Sequence, residues 1–170
     1  TAFAAEETGS ITIKNATKNE TYRIYKIFDA THDGDAVSYT IDTDNQFFEI
    51  LFGADGKTDN TFFVYNANTG SVSKKEGVND SELIKYLTDM VKNGSYQSET
   101  APIQATADEV KFEDLPYGYY LITSSLGATV TINSNTPDVE VIDKNQEPAP
   151  DFDKQVQVGH IRLRCRDAAS

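Results

Sequence analysis

Apolar and polar residues alternate with a period of two along much of the chain, the pattern of strands that turn one face to a core. Residues 10–14 (SITIK) predict a first strand. Residues 21–28 (TYRIYKIF) alternate more strongly, with Tyr22, Ile24 and Lys26 on one face and Arg23, Tyr25 and Ile27 on the other. That run is rich in the β-branched and aromatic residues that strands favour. Residues 32–35 (HDGD) read as a turn and 36–41 as a third strand. Residues 46–52 are a continuous apolar-rich run, too short to assign by period and compatible with a short helix. After a loop at 53–60, residues 61–65 and 71–74 predict a hairpin joined by NANTG.

The period then changes. Leu83, Ile84, Leu87, Met90 and Val91 fall at the spacing of one helical stripe, with Asp80 or Ser81 placed to cap the start and Gly94 placed to end it. Residues 95–107 form a polar crossover containing Pro102, and residues 109–115, 119–123, 128–133 and 139–142 complete the strands. Strands spaced about ten residues apart, with turn residues between them, predict a mainly β fold, a β-sandwich with one helix-bearing insertion between its halves. No repeat of 20 to 50 residues is visible.

The 170 residues suffice for one domain with a real core and are short for two. With 38% hydrophobic and 25% charged residues, the chain has the composition of a folded soluble protein. A net charge of −12 argues against nucleic acid or anionic lipid as the main partner. The single cysteine, Cys165, excludes a disulfide within the chain. No apolar run is long enough to span a membrane. Residues 1–9, with Phe3 between Ala2 and Ala4, read as the remnant of a signal-peptide cleavage site and a disordered start. Residues 10–147 read as the domain, and 148–158, which open on Pro148-Ala149-Pro150, as a stiff linker running into a second domain. Residues 159–170 carry Arg162, Arg164 and Arg166, three of the chain's four arginines, together with Cys165, and read as a vector-encoded tail.

No catalytic set emerges. His32 falls in a turn and His160 in the tail, and neither has a nucleophile context. No GxSxG, HExxH, phosphate-cradling loop or CxxC occurs. Asp29, Asp33 and Asp35 around Gly34 offer oxygen ligands at spacings that suit calcium, but the EF-hand pattern is absent and the same residues serve a turn's own geometry. The reading is therefore not an enzyme, with no metal and no cofactor.

The segment DLPYGYYLITSSLG, followed by TPDVEVIDKN and EPAPDFDKQV, resembles the N-terminal domain of the backbone (shaft) pilins of Gram-positive bacteria, the sortase-assembled fimbrial proteins that form isopeptide bonds. The opening SITIKN and TYRIYKIFDA fit the same family, so the resemblance covers most of residues 10–156. It implies an immunoglobulin-like or Cna-B-like sandwich in an extracellular, cell-wall-anchored pilus, with a class C sortase and neighbouring pilin subunits as partners. In that family a lysine within V-x-V-Y-P-K-N attacks the sortase acyl-enzyme. Here Val139, Val141, Lys144 and Asn145 match the pattern, and Ile142 and Asp143 stand where it has Tyr and Pro. The resemblance thus makes Lys144 the intermolecular isopeptide lysine, with Lys74, Lys75 and Lys154 as rivals. Lys154 is also placed to be the first-strand isopeptide lysine of the next domain.

The family also forms Lys–Asn or Lys–Asp bonds within domains, promoted by a buried Glu. Lys14 with Asp143 or Asn145 would be the partners, but Thr123, Ser124 and Ser125 stand where that Glu is expected. A hydroxyl cannot shuttle protons as a buried carboxyl does, so no such bond is expected in this domain. Without a sorting motif, the chain would accept a bond rather than donate one. The alternatives are an ancillary pilin or adhesin domain that binds host matrix protein or glycan and, less favoured, a secreted enzyme or carbohydrate-binding domain.

Overall fold

The computed structural model describes residues 8–33, 36–125, 129–133 and 138–142. Its elements in chain order are β1 (Thr8–Lys14), β2 (Thr21–Asp33), β3 (Ala36–Thr40), α1 (Phe48–Phe52), β4 (Phe63–Asn66), β5 (Ser71–Lys74), α2 (Asp80–Lys92), β6 (Ile103–Gln104), β7 (Glu109–Pro116), β8 (Gly118–Ser124), β9 (Thr129–Asn133) and β10 (Asp138–Ile142). The protein is mainly β, with two sheets. A three-stranded sheet has the order β10-β1-β7, and a seven-stranded sheet runs β4-β5-β3-β2-β8-β9, with β6 paired to β2.

The sheets enclose the first core. Ile11, Ile13, Val110, Phe112, Leu115 and Val141 from the small sheet meet Tyr22, Ile24, Tyr120 and Ile122 from the large one. The opposite face of the same β2–β8 pair is also buried. Tyr25, Ile27, Phe28, Tyr119 and Leu121 pack there against Phe47, Phe48, Leu51 and Phe52 around α1, and against Leu83, Leu87, Met90 and Val91 of α2. The insertion between β3 and β7 is therefore the lid of a second core.

A β-bulge sets the switch within β2. Lys26 pairs with Tyr120 and Phe28 with Tyr119, so Ile27 is the extra residue. Ile27 and Phe28 both enter the helix-side core, as the local bend of a bulge permits. Gly118 faces Asp29 across the same stretch, where a Cβ would lie 2.7 Å from the Phe28 carbonyl oxygen and 2.8 Å from Lys26 Cγ. This close approach is why the PYGYY segment needs its glycine. Two residues on, the Tyr120 hydroxyl donates to the Pro116 carbonyl at 2.6 Å and ties the β7–β8 corner. A buried asparagine fastens the insertion: Asn60 donates to the Leu51 carbonyl at 3.1 Å and to the Tyr86 hydroxyl at 3.0 Å, and its Oδ1 accepts from the Phe62 and Phe63 amides.

Several predicted bounds shift. The first strand begins at Thr8 rather than Ser10, because Thr8 and Gly9 pair with Pro116 and Leu115. Strand β2 runs on through His32 and Asp33, which pair with Val37 and Ala36, so the turn is tighter than residues 32–35. The α2 cap is Asn79, not Asp80 or Ser81. It is extended (ψ 124°) and its side chain accepts from the Glu82 amide, one residue ahead of the prediction. The polar crossover contains β6, whose Ile103 pairs with Tyr22.

Replacing Gly118 with alanine is expected to destabilise the fold by about 1–3 kcal/mol, since the clashing atom is backbone and cannot swing away. Tyr120→Phe, which removes the hydroxyl that bonds the Pro116 carbonyl, should cost about 1 kcal/mol. Urea midpoints of the two variants, compared with the parent at constant slope, check both values.

Candidate functional site at the end of the small sheet

Of the residues singled out by sequence, Val139, Val141 and Lys14 lie in the three-stranded sheet. β10 lies parallel to β1, with Ile11 opposite Val139, Ile13 opposite Val141 and Lys14 opposite Ile142. Val141 is fully buried in the inter-sheet core, and Glu140 on the alternate face is exposed. The parallel pairing thus anchors the Val-Glu-Val-Ile run and sets Ile142 opposite Lys14. Asp143, Lys144, Asn145 and Lys154 lie outside the described residues, as do Asp35, His160, Cys165 and the predicted linker and tail.

Lys14 occupies the strand end with acids on both flanks. Its Nζ donates to Glu109 Oε1 on β7 and stands 3.9 Å from Glu140 Oε2 on β10. The Glu109 hydrogen bond, then the Glu109 charge, raise the Lys14 pKa above its ordinary 10.5. Glu140 and Asp108 add to the rise and desolvation opposes it. An amine is nucleophilic only when neutral, so this surrounding suppresses the reactivity of Lys14. The two glutamates are themselves exposed.

At the positions where the resemblance expects a proton-shuttling Glu, Thr123 pairs with Arg23 across β8 and β2, and Ser125 Oγ accepts from the Thr21 amide at 2.9 Å. Ser124 is buried. The rival lysines are engaged: Lys74 Nζ lies 3.2 Å from Asp80 and Lys75 Nζ 3.0 Å from Asp59. Asp29, the first of the three calcium candidates, bonds Lys26 Nζ at 2.8 Å. Among the described residues no group of three His, Cys, Asp or Glu side chains is placed to hold a metal ion.

Two features escaped the sequence. One is a groove of about 490 Å³ where β3 and β5 pair only through Tyr39 with Val72 and Thr40 with Ser71. Phe28, Phe63 and Tyr119 form its floor and Tyr39 one wall, with Ser38, Ser71 and Ser73 around it. The other is a set of lysines and one arginine, Lys18, Arg23, Lys57 and Lys92, that meet no carboxylate among the described residues. Alternation placed Arg23 on a face but could not show what stood opposite it.

Compared with protein-family models and with curated proteins, the sequence matches none. No helix among the described residues is long and apolar enough to cross a membrane.

Two outcomes are expected from Lys14. The intact mass should equal that of the unmodified sequence; loss of one ammonia or one water would mean a bond between side chains. Because folding raises the Lys14 pKa, its ion pair stabilises the fold fully below pH 10.5, and that contribution disappears as pH climbs through the raised value. The melting-temperature gap between the parent and Lys14→Met should therefore be constant across neutral pH and close in the alkaline range.

Proposed function

We propose that this chain is the N-terminal module of the shaft subunit of a covalently polymerised Gram-positive pilus, in which Lys144 offers its amine to the acyl-enzyme of a class C sortase. The observation that supports this reading best is the anchoring of the V-x-V run: β10 is clamped parallel to β1, Val141 is sealed in the core, and Lys144 follows two residues after the last paired position. A lysine so placed would be held at a fixed point of a rigid scaffold.

In the proposed step the sortase holds the C-terminal threonine of another subunit's sorting motif as a thioester. The neutral Lys144 amine attacks the thioester carbonyl. The new C–N bond forms, the C–S bond breaks, and the amine proton passes to the departing thiolate. Asp143 beside Lys144 favours the charged amine, so docking on the sortase must displace that carboxylate or supply a base. The chain itself acts as substrate and structural element. The same reading places it extracellularly, in a cell-wall-anchored pilus, with neighbouring subunits as covalent partners.

The immunoglobulin-like, Cna-B-like form of the sandwich belongs to this proposal. It is supported by two sheets closing one core, and by the Tyr120–Pro116 bond, which resembles the tyrosine corner of immunoglobulin-like sandwiches. A second reading, an ancillary subunit that binds host matrix protein or glycan, has the aromatic-floored groove between β3 and β5 in its favour.

The test is polymerisation of the full-length subunit by its sortase. Lys144→Ala should abolish the ladder of covalent multimers while leaving the melting temperature unchanged. A ladder that persists in this variant would move the acceptor to another lysine.

A further inference from the structure

Arg23 stands out in an acidic protein. It is the sole arginine ahead of the three in the C-terminal tail, in a chain of net charge −12. Most lysines of the described residues are matched to carboxylates: Lys14 to Glu109, Lys26 to Asp29, Lys74 to Asp80, Lys75 to Asp59, Lys85 to Asp89 and Lys111 to Glu113. Arg23 and Lys92 meet no carboxylate among the described residues, and they line the same pocket, of about 260 Å³. Tyr25, Thr88, Thr123 and Ser124 complete most of its wall. Thr123 is directly opposite Arg23 across β2 and β8.

The pocket adjoins a second, of about 400 Å³, that shares Arg23 and Tyr25 and is walled by Tyr96, Gln97, Ser98 and Thr100. Its one carboxylate, Glu99, is held 4.0 Å from Lys26 Nζ. The two meet at Arg23 and Tyr25 and together form a shallow trough. Its chemistry is two cations, one carboxylate that faces Lys26, several hydroxyls, an amide and two tyrosines.

We propose that this trough binds an acidic saccharide, one carrying sulfate or carboxylate groups on hydroxylated rings. The planar guanidinium matches a sulfate or carboxylate with two parallel hydrogen bonds, and Lys92 adds a point charge. Thr123, Thr100 and Gln97 offer donors and acceptors to ring hydroxyls, whereas the Ser98 and Thr88 hydroxyls already donate to backbone carbonyls and Ser124 is buried. Tyr96, only partly buried, supplies apolar surface for the non-polar face of a sugar, while Tyr25 is buried in the core beneath it. An acidic peptide fits less well. Peptides commonly gain affinity by adding to a free strand edge, and the edge of β2 is taken here: Tyr22 pairs with Ile103, and the Ile24 carbonyl accepts from the Glu99 amide and the Ser98 hydroxyl. Lys92 lies in the last turn of α2, where the helix carbonyls already claim part of its charge, so Arg23 carries the larger share. The repulsive field of the whole chain makes the attraction local and readily screened by salt. This proposal is independent of the lysine chemistry above.

The test uses the full chain and four probes: a heparin-derived tetrasaccharide, a hyaluronan tetrasaccharide, neutral maltotetraose and an Asp/Glu-rich peptide. Binding is read by calorimetry and by NMR shifts at Arg23 Nε and the Thr123 amide. At least one acidic tetrasaccharide should shift both signals, with affinity falling as salt rises. Arg23→Gln should weaken it about tenfold, Lys92→Gln less, and Arg23→Lys should restore part of the loss, with melting temperatures unchanged. The proposal is overturned if neither acidic tetrasaccharide shifts these signals, if the double Gln variant binds as the parent does, or if maltotetraose or the acidic peptide binds the trough as tightly.

Discussion

The constraint on which the rest depends is that the β2–β8 pair is buried on both faces. Tyr22, Ile24, Tyr120 and Ile122 face the small sheet, while Tyr25, Phe28, Tyr119 and Leu121 face the helices. Burying each such side chain is worth about 1.5–3 kcal/mol, and neither face could stay in water without losing that gain. The small sheet and the helix-bearing insertion are thus two answers to one need. The bulge at Ile27 and the bare Cα of Gly118 let two strands so heavily loaded with rings lie side by side.

Around this rigid centre the polar groups have local roles. Asn60 satisfies backbone groups on both sides of the α1–β4 connection and reaches α2 through Tyr86, as a buried amide must if it is not to weaken the core. Lys14 donates to Glu109 and lies near Glu140 at the strand end, and these acids raise its pKa above the ordinary 10.5. The parallel clamp of β10 on β1 fixes the backbone as far as Ile142. Arg23 and Lys92 break the pattern of matched charge, and their shared trough is where the surface departs from its acidic average.

Much of this was legible in the residues. The period of two located the strands and the 3.6-residue stripe located α2, because those periods follow from backbone geometry alone. Leu83, Leu87, Met90 and Val91 are buried as their spacing required. Tyr120 and Ile122 pack into the inter-sheet core, but the apolar residues that alternate with them showed only that the opposite face was also apolar. What covered that face depended on a segment 20 to 70 residues away in the chain. Strand ends were less legible: β2 outruns its alternation because Thr31, His32 and Asp33 are held by pairing with β3 rather than by their own preference.

Charge was the least legible. Composition gave the sum of −12 but not which cation meets which acid. Lys74 and Asp80 are close in sequence, whereas Lys14 and Glu109 are 95 positions apart. The sequence by itself determined the mainly β class, the helix and the burial of Val141 by alternation. Only the tertiary structure decided that β10 runs parallel to β1, that Lys14 is held by acids from both neighbouring strands, and that Arg23 shares a pocket with Lys92. Periodicity is a property of neighbouring residues, while partnership is set by how distant segments close over a common core.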